Sequence, residues 1–150
     1  MFSTSTTRIA TPNSILIREI QAEDNEVLAR IVRACLSEFG ADKPGTVFFD
    51  PTTDALYQLF QVPGAVYFVA EEESSSKVVG GGGIFPTDGL PKGCCELVKF
   101  YVTSESRRMG LGKALLTKAT DWAKQYGYRQ IYLESLPELA QAVSLYEGRG

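Results

Sequence analysis

Between Glu96 and Tyr126 this chain passes from the two-residue repeat of a strand to the three-and-four-residue repeat of a helix, across a short basic loop with two glycines. Few arrangements accommodate that change. The stretch from Gly93 reads GCCELVKFYVTSESRRMGLGKALLTKATDWAKQY. Glu96–Thr103 predicts a strand, with Glu96, Val98, Phe100 and Val102 on one face and Leu97, Lys99 and Tyr101 on the other. Arg107-Arg108-Met109-Gly110-Leu111-Gly112 predicts a turn whose glycines let backbone approach a ligand where a side chain would block it. Leu111, Leu115, Leu116, Ala119, Trp122, Ala123 and Tyr126 then make an apolar stripe one helix face wide. A helix N-terminus with unpaired N–H groups therefore stands directly behind a basic loop. Those groups, together with about half a positive charge from the helix dipole, make an anion site suited to a phosphate-bearing ligand.

Elimination narrows the phosphate ligand. A nucleoside triphosphate loop needs glycine where Arg107 stands and Ser or Thr where Ala114 stands. The dinucleotide fingerprint uses a third glycine, and Leu115 occupies its place. What remains is R-x-x-G-x-G-x-x-L, carried by Arg107, Gly110, Gly112 and Leu115. With its strand before and helix after, this stretch resembles the acetyl-coenzyme A loop of the GNAT superfamily of acetyltransferases.

The length of 150 residues predicts one domain that can bury a core without metal or disulfide support. A net charge of -3 argues against general binding of nucleic acid, since the positive charge is local, at Arg107, Arg108 and Lys113. Cys35, Cys94 and Cys95 are odd in number and two are adjacent, so they form no disulfide framework; without histidine they offer no usual zinc pattern. A reducing cytoplasm is the simplest compartment, and no apolar run approaches the span of a bilayer. Residues 1–13, rich in Ser and Thr, read as a disordered tail before a single domain over 14–150.

Taken in order, Ser14–Ile20 predicts a short first strand, and Glu23, Asp24 and Glu26 mark the start of a helix whose apolar face runs from Val27 to Phe39 and stops at Gly40. Cys35 belongs to that face as core packing. Pro51–Gln61 predicts a second helix with Leu56, Leu59 and Phe60 buried. Ala65–Glu71 and Lys77–Pro86 predict an antiparallel hairpin. No helix follows Gly80–Gly83, so these four glycines serve sheet pairing or a bulge rather than a phosphate. Gly127 stops the long helix, and Arg129–Ser135 predicts a strand parallel to Glu96–Thr103, or splayed from it at one end. Pro137 opens a last helix, with Leu139, Ala142, Val143 and Tyr146 on one face.

That final A-V-x-L-Y-E-x-x-G segment is a second resemblance to the same superfamily. Together the two resemblances imply an α/β (α+β) fold, a mixed, mostly antiparallel sheet flanked by helices, and direct transfer of an acetyl group from acetyl-CoA to a primary amine, with no metal. By the same resemblance Phe100, Tyr101 and Val102 hold the pantetheine arm and thioester by main-chain hydrogen bonds, and Arg107, Arg108, Met109, Gly110, Leu111, Gly112 and Lys113 carry the pyrophosphate. Tyr146 matches the general acid. Glu96 matches the catalytic glutamate of the histone-modifying branch and Glu134 that of the branches acetylating ribosomal protein N-termini, and the choice between them stays open. So does the acceptor, a small-molecule amine ahead of a protein amine. The competing function is a non-catalytic domain that binds or senses acyl-CoA. Two departures stand out. Leu139 occupies the place of an asparagine common in relatives, and relatives continue past Gly150 with one or two further strands. A shortened chain leaves the strand Arg129–Ser135 with an open edge, which implies a homodimer that completes the sheet.

Overall fold

The computed structural model describes residues 6–9, 14–38, 40, 50–106, 110–133 and 141–144, the last as backbone. Among the described residues, seven strands follow one another across a single sheet in chain order: β1 (Thr7–Ile9), β2 (Ile15–Glu19), β3 (Val66–Glu72), β4 (Val78–Phe85), β5 (Cys94–Val102), β6 (Gln130–Leu133) and β7 (Gln141–Ser144). Helix α1 (Asn25–Glu38) and the short α2 (Leu56–Leu59) lie between β2 and β3, and α3 (Leu111–Tyr126) lies between β5 and β6. Neighbouring strands are antiparallel except β5 and β6, which run parallel because α3 carries the chain back between them. This is the mixed, mostly antiparallel sheet that the sequence predicts.

The period of β3 assigns its faces. Val66, Phe68 and Ala70 pack with Leu111, Leu115 and Ala119 of α3, while Tyr67 and Val69 pack with Leu28 and Val32 of α1. All five strand residues are buried, as expected of a strand covered on both sides. Each fully buried leucine, such as Leu28 or Leu115, contributes about 1.5–3 kcal/mol relative to exposure. Arg18 fixes the entry to α1: its guanidinium donates to Asp24 and Glu71, and Asp24 also accepts from the Gln21 N–H. The acidic residues before α1 thus include a buried ion-pair partner as well as charges facing the helix dipole.

Five expectations need correction. Thr7–Ile9 lies within the segment read as a tail, yet it pairs with β2; Arg8 donates twice to Glu73 and Lys118 to the Thr7 hydroxyl, contacts invisible in a Ser- and Thr-rich composition. The second helix is interrupted. Pro51–Asp54 forms a tighter 3-10 turn capped by the Asp50 side chain, which accepts from the Thr52 N–H, and only Leu56–Leu59 is α-helical. Leu56 and Phe60 are buried as predicted, and Leu59 is half-buried. Tyr126, placed on the buried stripe of α3, is 45% exposed and stacks between Trp122 and Tyr128.

The fourth correction concerns the helix expected after Pro137. Gln141–Ser144 is a strand, antiparallel to β6. Short segments containing Ala142 and Val143 fit either period, and β6 offers an edge of unpaired N–H and C=O groups that a strand satisfies and a helix does not. The edge that implied a homodimer is therefore covered by β7 in the same chain. The fifth concerns the faces of β5. Leu97 and Phe100 both pack on the α3 side, whereas Val98 and Tyr101 pack on the α1 side, so strict alternation fails between Val98 and Phe100.

Candidate active site

The failure of alternation in β5 is a β-bulge. Val98 lies opposite Gly83 and Tyr101 opposite Gly81, so Lys99 and Phe100 together face Gly82. Lys99 adopts a φ of 55°, a left-handed conformation that residues with a Cβ avoid. On its other side β5 pairs with β6 through Cys94–Leu97, and the half from Val98 to Val102 has no β6 partner among the described residues.

Glycines in β4 make the bulge fit. A Cβ at Gly82 would lie 2.7 Å from the Phe100 ring, and one at Gly81 or Gly83 would lie 2.6 or 2.7 Å from the Tyr67 ring. The four glycines thus serve the sheet, as predicted: Gly81, Gly82 and Gly83 accommodate aromatic rings, and Gly80 the close approach of the β5 backbone at Tyr101 and Val102.

At the far end of the connection, Gly110 takes a φ of 77° and α3 begins at Leu111. The Ala114 N–H donates to the Gly110 carbonyl, so the N–H groups of Leu111, Gly112 and Lys113 precede the first bond of the helix. Among the described residues, a Cβ at Gly110 would meet nothing within 4 Å, and one at Gly112 would only reach the Phe100 ring at 3.9 Å. Phe100 therefore joins the two halves of the site: its strand carries the bulge and its ring lies beside the first turn of α3. Arg107, Arg108 and Met109 lie outside the described residues.

Glu96 lies on β5 just before the bulge, opposite Phe85 on one side and Tyr132 on the other. It is half-buried, and its Oε1 accepts a hydrogen bond of 2.6 Å from the Thr87 hydroxyl. Glu134 follows Leu133, the last residue of β6, and with Tyr146 and Leu139 it lies outside the described residues. Across the bulge, hydrogen bonds from Thr52 hold the Asp50 carboxyl below the usual range, and the Lys99 ammonium adds to the effect. The three cysteines are buried and none is in a disulfide; burial pushes Cys95 up to about 12, which keeps it an inert core group. No described helix is long and apolar enough to cross a membrane.

A family model described as Acetyltransferase (GNAT) family matches residues 26–150 of this chain. The chain belongs to the GNAT acetyltransferase family. It is 41% identical over 141 residues to YjgM, an uncharacterised N-acetyltransferase of Escherichia coli (strain K12), an alignment spanning 93% of this chain and 83% of that protein. The fold is similar to that of a GNAT-family acetyltransferase from Staphylococcus aureus Mu50, with a TM-score of 0.68 and 21% identity over 81% of this chain and 72% of that one. It is also similar to a protein from Clostridium acetobutylicum solved with acetyl-CoA and described as a predicted acetyltransferase, with a TM-score of 0.66 and 19% identity over 81% of this chain and 80% of that one. Membership makes this chain an N-acetyltransferase of the GNAT fold, from a family whose acetyl donor is acetyl-CoA.

Sequence reasoning passed over three neighbours of this candidate site: Thr87, which holds Glu96, and Tyr67 and Cys35, whose hydroxyl and thiol donate to the carbonyls of Lys99 and Val102. Only Thr87 had a local signal, as a hydroxyl in the loop leading to β5.

Proposed function

We propose that this GNAT enzyme transfers an acetyl group from acetyl-CoA directly to a primary amine, with a glutamate as base and Tyr146 as acid. One observation carries the reading. The bulged half of β5 lies beside the N-terminus of α3, and the two meet at Phe100 and Gly112. An extended thioester arm suits the first element and a pyrophosphate suits the second.

When bound, acetyl-CoA supplies an activated thioester. Main-chain groups of Phe100, Tyr101 and Val102 orient its arm, and N–H groups from Arg108 to Lys113 take the pyrophosphate, with the charge of Arg107, Arg108 and Lys113 around it. The amine nitrogen attacks the carbonyl carbon; a C–N bond forms and the C–S bond breaks. Glu96 or Glu134 takes the proton released by the amine, directly or through water, and Tyr146 returns a proton to the departing thiolate. With no histidine in the chain, a carboxylate is the base at hand. Glu96 is supported by its place before the bulge and by the Thr87 bond, which fixes one carboxylate oxygen. A small-molecule amine is the favoured acceptor ahead of a protein amine.

The test is release of free coenzyme A thiol during incubation with acetyl-CoA and a panel of primary amines. Turnover with at least one amine is expected; tight binding without turnover across the panel would favour a binding or sensing role. Glu96→Gln and Glu134→Gln then identify the base, because the true one loses the rising limb of the pH–rate profile. Tyr146→Phe should slow turnover, on the order of 100-fold, while sparing affinity for acetyl-CoA.

A further inference from the structure

The half of β5 on which the donor reading depends is held from behind by side chains with no part in the proposed chemistry. Tyr67 is 1% exposed, and its hydroxyl donates to the Lys99 carbonyl at 2.8 Å. Its ring occupies the room left by Gly81 and Gly83. From α1, the Cys35 thiol donates to the Val102 carbonyl at 3.4 Å. The two contacts secure the two ends of Lys99–Val102 from the α1 face of the sheet. Between them lies the strained position: Lys99 stands in the left-handed conformation, at the bulge position where glycine is the natural occupant.

A phenylalanine would fill the volume of Tyr67 equally well. The hydroxyl is what needs an explanation, because burying it costs free energy unless it is bonded, and its bond goes to the strained residue. We propose that Tyr67 is a positioning residue: by holding the Lys99 carbonyl it fixes the bulge, and so aims the main-chain groups of Phe100–Val102 at the thioester arm of the donor. This rests on the acetyl-CoA reading above. Burial pushes the Tyr67 phenol far above its ordinary range, so it remains a neutral donor at any working pH.

Tyr67→Phe removes the donor and leaves the ring. Lys99→Gly, added to it, lets the bulge hold its conformation without help. Hydrogen exchange of the free protein and steady-state kinetics should be measured for wild type, Tyr67→Phe and the double variant. In Tyr67→Phe, amides of residues 98–103 should exchange about tenfold faster while 66–70 hold, and kcat/KM for acetyl-CoA should fall about tenfold with KM for the amine unchanged. The double variant should recover both. Unchanged exchange and kinetics in Tyr67→Phe would overturn the inference, as would a loss of protection spread through the sheet that Lys99→Gly does not repair, which is the mark of a core residue only. A wild-type protein that neither binds nor turns over acetyl-CoA overturns the donor reading, and with it the aim of Tyr67; wild-type activity that Tyr67→Phe leaves intact overturns this inference alone.

Discussion

Two glycine-rich segments, Gly80–Gly83 and Gly110–Gly112, look alike in the sequence and do opposite things in the fold. In the first, an added Cβ at any of the four positions would come within 2.8 Å of another atom, whether a Tyr67 or Phe100 ring or the Tyr101 carbonyl. The space is already full of protein. In the second, a Cβ at Gly110 meets nothing within 4 Å and one at Gly112 makes ordinary contact with Phe100. Among the described residues that space is open, and it lies at a helix start whose first N–H groups precede the first helical bond. Glycine marks room in both segments; the neighbours decide whether the protein or a ligand uses it.

Substitutions separate the two uses. The largest effect belongs to Gly81→Val, whose side chain must displace the Tyr67 ring and crowd the Phe68 carbonyl. We expect a loss of roughly 3 kcal/mol or more in a denaturant titration, with acetyl-CoA binding lost only as the fold is lost. A variant as stable as wild type would break the contrast. Gly110→Ala comes next: nothing clashes, but a φ of 77° costs a residue with a Cβ about 1–2 kcal/mol, so the midpoint should fall modestly. The smallest effect, and the most telling in sign, is Gly112→Ala. Alanine in a helix is favoured over glycine by up to ~1 kcal/mol, so the free protein should become slightly more stable while its affinity for acetyl-CoA falls. Stability and affinity that move together would count against a ligand at that turn.

Much of this was legible in the sequence because the signals are local. The hairpin of β3 and β4, helix α1 and the strand–loop–helix around Gly110 each announce themselves in the period of a few turns or a few alternations, and Glu96 falls within the same stretch. The misses at Lys99, Cys35, Gln141–Ser144 and Thr7–Ile9 share one cause, which is contact between distant parts of the chain. Lys99 carries no mark of a bulge, because the residue there is not glycine and the Tyr67 hydroxyl that supports it comes from 32 positions away. Cys35 reads as plain core, yet its thiol reaches Val102 across 67 positions. At Gln141–Ser144 the side chains allow either period, and the free edge of β6 decides for a strand. Thr7–Ile9 is held by Glu73 and Lys118, partners that no inspection of the first residues could supply.

The central claim is that the turn before α3 carries the pyrophosphate of acetyl-CoA, and an equilibrium titration of acetyl-CoA into wild type and Gly110→Glu tests it most directly. The substitution adds bulk and negative charge where the open space lies, with no atom of the described residues, its chain neighbours aside, within 4 Å of its Cβ. Binding to wild type and a loss of affinity on the order of 100-fold in the variant, with both proteins still folded, is the predicted result, corresponding to a few kcal/mol of lost anion contact. Equal affinity of the two folded proteins for acetyl-CoA would contradict it.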